Sequence, residues 1–209
     1  AIGQDGLFLR DYLQELGVHT EHLCVLDAPT GHAMIQLDTE GQNCIILFGG
    51  TNGMITEAMI DEVLADFGAG DYLLLQNEIS HVDSIICAAH AKGMHIILNP
   101  SPMSPELLTW PLELVECFIL NDIEGADITG KTQPEEMLDE LLRRYPACHV
   151  VLTLGERGSV YADATQRMDQ SIVSAHTVDT TAAGDTFTGY FIHALLQGEA
   201  IQQALKTAA

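Results

Sequence analysis

The sequence predicts an α/β fold built on a mostly parallel sheet, and three observations carry that prediction. Asp71–Gln76 (DYLLLQ), Met94–Asn99 (MHIILN), Cys117–Asn121 (CFILN) and His149–Leu154 (HVVLTL) are short, continuous apolar runs. Continuous runs, unlike alternating ones, suit strands buried on both faces. Between and around them, Thr56–Asp66, Val82–Ala91 and Glu135–Arg144 carry apolar residues at helical spacing. Strands alternating with helices in this way give βαβ units, with helices on both faces of the sheet. The chain has 209 residues, 47% of them apolar. That is enough for one sizeable domain burying about 70% of its unfolded surface.

In chain order, Asp5–Leu16 places Leu9, Leu13 and Leu16 at helical spacing and stops at Gly17, a residue suited to the C′ position. His32–Asp38 and Asn43–Phe48 flank the turn residues Thr39, Glu40, Gly41 and Gln42, which predicts a β-hairpin at about 32–48. The βαβ region follows, and Gly158–Asp163 predicts a further hairpin. Phe187, Phe191 and Leu195 share one helical face. The chain begins at Ala1 and finishes in Gln202–Ala209, a helix former without a stop signal. These ends lead us to expect a fragment of a longer domain.

Composition excludes several partners. The 30 acidic residues against 8 Lys and Arg give a net charge of −22. Such a surface repels nucleic acid and anionic membranes. No apolar run approaches the ~18 residues needed to span a bilayer, and the first residues are not a signal peptide. Cysteines 24, 44, 87, 117 and 148 are odd in number and contain no close pair. We read them as reduced core thiols of a cytoplasmic protein, Cys44 and Cys117 because they interrupt apolar runs. The nine histidines form no convincing ligand set.

Ligands of open α/β sheets bind beyond the carboxyl ends of the strands. The polar residues there are Gln76, Asn77 and Glu78, then Asn99, then Asn121 and Glu124, then Thr153 and Gly155. One tempting pattern is rejected. Gly125–Thr132 satisfies GxxxxGK[ST], but Asn121 to Glu124 separate it from the strand and Asp127 sets a negative charge in the loop. Pro134 also biases Gln133 away from helix, so the next helix should start at Pro134, not at Lys131.

The stronger signal is Val178-Asp-Thr-Thr-Ala-Ala-Gly-Asp185-Thr-Phe. Small residues at 182–184 allow a tight turn that exposes consecutive amides at a helix start, a ready anion site. Asp185 then lies beside that site. A carboxylate repels an anion, so its presence points to work: taking a proton from a hydroxyl that attacks phosphorus.

This segment resembles the C-terminal signature of the ribokinase-like (PfkB) carbohydrate kinases. Leu75-Gln-Asn-Glu78, Asn99-Pro-Ser-Pro102, Asn121-Asp-Ile-Glu124 and Leu152-Thr-Leu-Gly-Glu-Arg-Gly158 are similar, in order, to other motifs of that family. The resemblance covers essentially all of residues 1–209. It implies a three-layer αβα sandwich, with the 32–48 hairpin forming part of a small β lid that also serves homodimerisation. It implies transfer of phosphoryl from ATP to a sugar primary hydroxyl, D-ribose giving ribose 5-phosphate. Fructose, 2-keto-3-deoxygluconate and nucleosides remain as rival acceptors, and a non-catalytic nucleotide- or sugar-binding module is the other open reading.

Residue by residue, the resemblance makes Asp185 the catalytic base and the amides of Ala182, Ala183, Gly184 and Asp185 the anion hole. Asn121 and Glu124 would hold Mg²⁺ through water, and Asn121, Thr153, Gly155, Gly158 and Gly184 would contact the nucleotide. Asp179 and Thr181 would ligate a monovalent cation, K⁺, and Glu78 would face the sugar. Asp122 departs from the family's usual Glu, and Asn77 from an apolar residue. The early strands and the C-terminal segment of the family lie outside the match.

Overall fold

The computed structural model describes residues 1–37, 43–173 and 182–209. They fall into two compact units, 1–69 with 78–93 and 70–77 with 94–209.

In the first unit, helix α1 spans Leu7–Glu15. It closes as predicted: Gly17 is left-handed at φ +78°, and the amides of Gly17 and Val18 bond back to Gln14 and Leu13. Its apolar stripe, however, is not core, for none of its residues is buried. Strands β1 (His32–Leu37) and β2 (Asn43–Phe48) pair antiparallel, with Ile35 opposite Ile45. Both carry apolar residues on successive positions, so both faces of this ribbon present them, and Met34, Ile35, Ile45, Ile46 and Leu47 are all exposed. Cys44 shares that exposure, and Cys87 is exposed on its helix; only Cys117 and Cys148 are buried. The expectation that Cys44 is a core thiol is therefore corrected. An apolar run on a two-stranded ribbon has no second layer to bury it. Helix α2 (Glu57–Leu64) is capped by Thr56, whose hydroxyl accepts the Met59 amide, and it packs against helix α3 (Val82–Ala91).

The second unit holds a six-stranded sheet in the order β3 (Tyr72–Leu75), β4 (His95–Leu98), β5 (Cys117–Asn121), β6 (His149–Thr153), β7 (Ser159–Ala162), β8 (Arg167–Gln170). The first four are mutually parallel; β7 pairs antiparallel with β6, and β8 antiparallel with β7. Helices α4 (Asp122–Thr129) and α5 (Pro134–Arg144) cover one face, α6 (Ala183–Leu196) and α7 (Ile201–Ala208) the other. Strand alternation builds the layers. Cys117, Ile119, Val151 and Tyr161 join Phe191, Ala194, Ala204 and Leu205 in one cluster. Leu120 and Leu152 point the other way, toward Gly125 and Met137, and the Phe118 ring lies 5.5 Å from that of Tyr145. Each buried Leu or Phe contributes roughly 1.5–3 kcal/mol. The continuous apolar runs of β4, β5 and β6 are thereby explained, since both faces are covered, whereas Tyr72 and Leu74 on the edge strand β3 are exposed.

Two details depart from the sequence reading and one agrees with it. Helix α4 was not predicted, strand β8 completes the hairpin begun by β7, and α5 starts at Pro134 as expected. The Gly125–Thr132 pattern is spent on helix: Gly125 lies inside α4, and Gly130, at φ +72°, ends it. No phosphate-cradling loop exists there. Among the described residues, no helix is long and apolar enough to cross a membrane.

Candidate active site at the carboxyl ends of the strands

A cavity of about 590 Å³ opens beyond the carboxyl ends of β3 to β6. Each strand delivers a polar residue to it: Gln76, Asn99, Asn121 and Thr153. In parallel strands the same end of each faces the same way, so consecutive run-ending residues converge on one rim.

Asn121 and Glu124 meet there. The Asn121 side-chain oxygen accepts the Glu124 amide at 2.9 Å, and Glu124 Oε2 accepts the Asn121 amide at 2.9 Å. This reciprocal capping box launches α4 directly from β5. Glu124 is buried, and Asp122 beside it is paired with Arg157 Nη2 at 3.2 Å. Across the rim, Thr153, Gly155 and Gly158 line the wall formed by the β6–β7 turn. That turn is tight: the Leu154 amide donates to the Gly158 carbonyl at 2.8 Å. Gly158 sits at φ +90°, and a Cβ there would lie 2.0 Å from the Gln170 carbonyl oxygen. Only glycine fits between these strands.

The opposite wall is the start of α6. Ala182 caps it in a left-handed conformation, φ +59°, with no side-chain cap. The first intrahelical acceptance is by Ala182, whose carbonyl takes the Thr186 amide at 2.9 Å. The amides of Ala183, Gly184 and Asp185 precede it and have no intrahelical partner, as at any helix start. Ala182, Ala183, Gly184 and Asp185 all line the cavity. Asp185 Oδ1 accepts a hydrogen bond from Gln76 Nε2 at 3.1 Å.

Further residues of the wall were not singled out from sequence. Ser159 and Thr188 are buried beside the cavity, and among the described residues neither hydroxyl has a hydrogen-bond partner. Thr188 lies one helical turn after Gly184, a spacing that would have disclosed it. Ser101 lines the rim, its amide held by Asn99 Oδ1 at 3.1 Å. Asn77 turns away from the cavity to bond the Pro102 carbonyl at 2.6 Å and Ser104 Oγ at 3.1 Å. Glu78 is exposed and belongs to the first unit. Asp179 and Thr181 lie outside the described residues.

The electrostatics are one-sided. Among the described residues lining the cavity there is no Lys, Arg or His, while Asp122, Glu124 and Asp185 are acidic. On this described wall a polyanion can be received by backbone amides, hydroxyls, side-chain amides and metal ions. The oxygen donors on Asn121 and Glu124 suit a hard cation. Their mutual capping already engages one oxygen of each, so contact through retained water fits this pair better than a direct cage. No cluster of three or more metal-binding side chains occurs among the described residues.

Comparison with known proteins is consistent in family. Residues 1–209 match the description "pfkB family carbohydrate kinase". The ribokinase of Arabidopsis thaliana is 33% identical across 100% of this chain and 55% of that protein. The ribokinase of Haemophilus influenzae is 29% identical across 98% of this chain and 70% of that protein. The chain thus spans between about half and 70% of the length of these relatives. Among solved structures, ribokinase from Cryptococcus neoformans in complex with ADP superposes with a TM-score of 0.86 at 29% identity, covering 99% of this chain and 72% of that one. Arabidopsis thaliana ribokinase complexed with ribose and ATP gives a TM-score of 0.80 at 29% identity, covering 99% and 71%.

Proposed function

Because the chain belongs to the pfkB family of carbohydrate kinases, we propose that it transfers the γ-phosphoryl group of ATP to a primary hydroxyl of a sugar, D-ribose giving ribose 5-phosphate. The observation that carries this reading is Asp185 standing at the amide-rich start of α6, in a cavity whose described lining carries no Lys, Arg or His. A site that only bound phosphate would gain nothing from a carboxylate in that position. In the proposed step the sugar oxygen attacks the γ-phosphorus in line. The new O–P bond forms as the bond to the bridging oxygen breaks, the electron pair leaves with ADP, and the hydroxyl proton passes to Asp185. The amides of Ala183, Gly184 and Asp185, with that of Ala182, face the charge spreading over the transferred group. Thr153, Gly155 and Gly158 flank the nucleotide, and Glu78 takes the sugar.

When bound through water to Asn121 and Glu124, Mg²⁺ supplies charge neutralisation to the phosphates, which this acidic wall cannot. K⁺ on Asp179 and Thr181 belongs to the same reading. So do a cytoplasmic location, where ATP is at hand, and a homodimer through the β1–β2 ribbon, whose exposed apolar residues would be covered by a second copy.

The test is a coupled ADP-release assay on the intact protein over a panel of ribose, fructose, 2-keto-3-deoxygluconate and nucleosides. Ribose should give the highest kcat/KM. Asp185→Asn should lower kcat by about 10²–10⁴-fold, the range for loss of a general base, with ATP affinity kept. Equal turnover by the variant would remove Asp185 from the mechanism, and a better acceptor would replace ribose.

A further inference from the structure

We infer that Gln76 is a positioning residue for Asp185, fixing which carboxylate oxygen meets the acceptor hydroxyl; the inference rests on the kinase reading above. The two residues are 109 positions apart, and the fold joins them at the cavity rim with Nε2 to Oδ1 at 3.1 Å. Among the described residues Gln76 is the sole side chain bonded to Asp185, and Oδ2 has no partner. An ionised carboxylate only accepts, so the Gln76 amide must present its NH₂ side, and its orientation is set. One oxygen is therefore occupied, and Oδ2 is left to take the proton.

A positioning group must itself be held. The Gln76 backbone is pinned on both sides: the Leu75 carbonyl accepts the Asn99 amide at 2.9 Å, and the Asn77 amide donates to the Ser101 carbonyl at 2.9 Å. Asn77 adds its side-chain bonds to Pro102 and Ser104, and Leu75 is buried. The segment that carries Gln76 thus sits on sheet and turn together, giving the amide a rigid base. Asp185 needs such a guide, since it is exposed on the first turn of α6. A neutral donor suits the place. A Lys or Arg there would also draw a phosphate oxygen toward the carboxylate, whereas an amide orients Asp185 without that competition.

The experiment is a double-mutant cycle in the intact protein between Gln76→Met, which keeps length without the amide, and Asp185→Asn, with residual rates read under single-turnover conditions. Gln76→Met alone should lower kcat about 10- to 100-fold, the loss typical of a misplaced reacting group, with KM for ATP changed by less than about twofold. In the Asp185→Asn background the same substitution should change the rate by less than about twofold, because there is no base left to orient. Gln76→Asn, which keeps the amide on a shorter stem, should recover part of the rate lost in Gln76→Met. An unchanged kcat in Gln76→Met, or the same factor lost in both backgrounds, would overturn the positioning role while leaving the kinase reading intact. If Asp185→Asn alone leaves turnover unchanged, the kinase reading falls and takes this inference with it.

Discussion

Asn121 and Glu124 cap one another, each side chain accepting the other's backbone amide at 2.9 Å. One pair of residues therefore both starts helix α4 and sets a carboxylate at the mouth of the cavity.

Structure and metal use can be separated at Glu124. Gln can replace Glu in a capping box, so Glu124→Gln should melt close to the parent. Its Mg²⁺ requirement for ATP binding should rise several-fold, read by calorimetric titration at stepped Mg²⁺. Glu124→Ala loses the cap as well, at about 1 kcal/mol, and should melt about 2–4 °C lower. In the parent, chelating the divalent ion should abolish measurable ATP binding, because no cation of the described wall can substitute for it.

The two glycines of the β6–β7 turn should differ in tolerance. At Gly155 (φ +58°) a Cβ meets open space, while at Gly158 (φ +90°) it meets the Gln170 carbonyl. Gly155→Ala should cost about 1 kcal/mol for the left-handed backbone. Gly158→Ala should cost about 2–4 kcal/mol, adding backbone displacement to conformational strain. Urea denaturation of both variants tests the order, and equal midpoints would refute it.

Acid stability should depend on Asp163. Burial pushes its carboxyl up, but bonds from Thr165, Tyr161 and Gln166 outweigh this and hold it well below the usual carboxylate range. A lowered folded value contributes stability above the unfolded aspartate value of about 3.9, which is lost as pH falls through the folded one. Asp163→Asn should lose about 1.5–3 kcal/mol at neutral pH, from hydrogen bonds to a charged group. Its melting temperature should begin to approach the parent's as pH falls below about 4 and keep closing on it toward lower pH, a profile checked by thermal melts from pH 7 to 2.

The middle of the sheet was legible because Cys117–Asn121 and His149–Thr153 are continuous apolar runs buried on both faces; the exposed strand Asn43–Phe48 carries a similar run, so the run marks a strand without deciding its burial. Helix α4 escaped because the residues it buries are Glu124, Gly125, Ile128 and Thr129, which make no apolar stripe. The reciprocal Asn-x-x-Glu cap was its sequence signal. Strand β8, Arg-Met-Asp-Gln, escaped because it is a polar edge whose pairing depends on β7. Helix α1 shows the converse error, an apolar periodicity that buries nothing.

The sequence by itself determined the α/β class, the strand-end residues, the amide-rich turn before Asp185 and the family. Those signals are local: each lies within one run or one turn, where burial and backbone sterics act on neighbouring residues. It took the tertiary fold to bring Gln76 to Asp185, to set Ser159 and Thr188 at the cavity with no partner among the described residues, and to leave its described wall without a cation. Such relations join distant strands and helices, so they exist only once parallel strands bring their carboxyl ends to one rim.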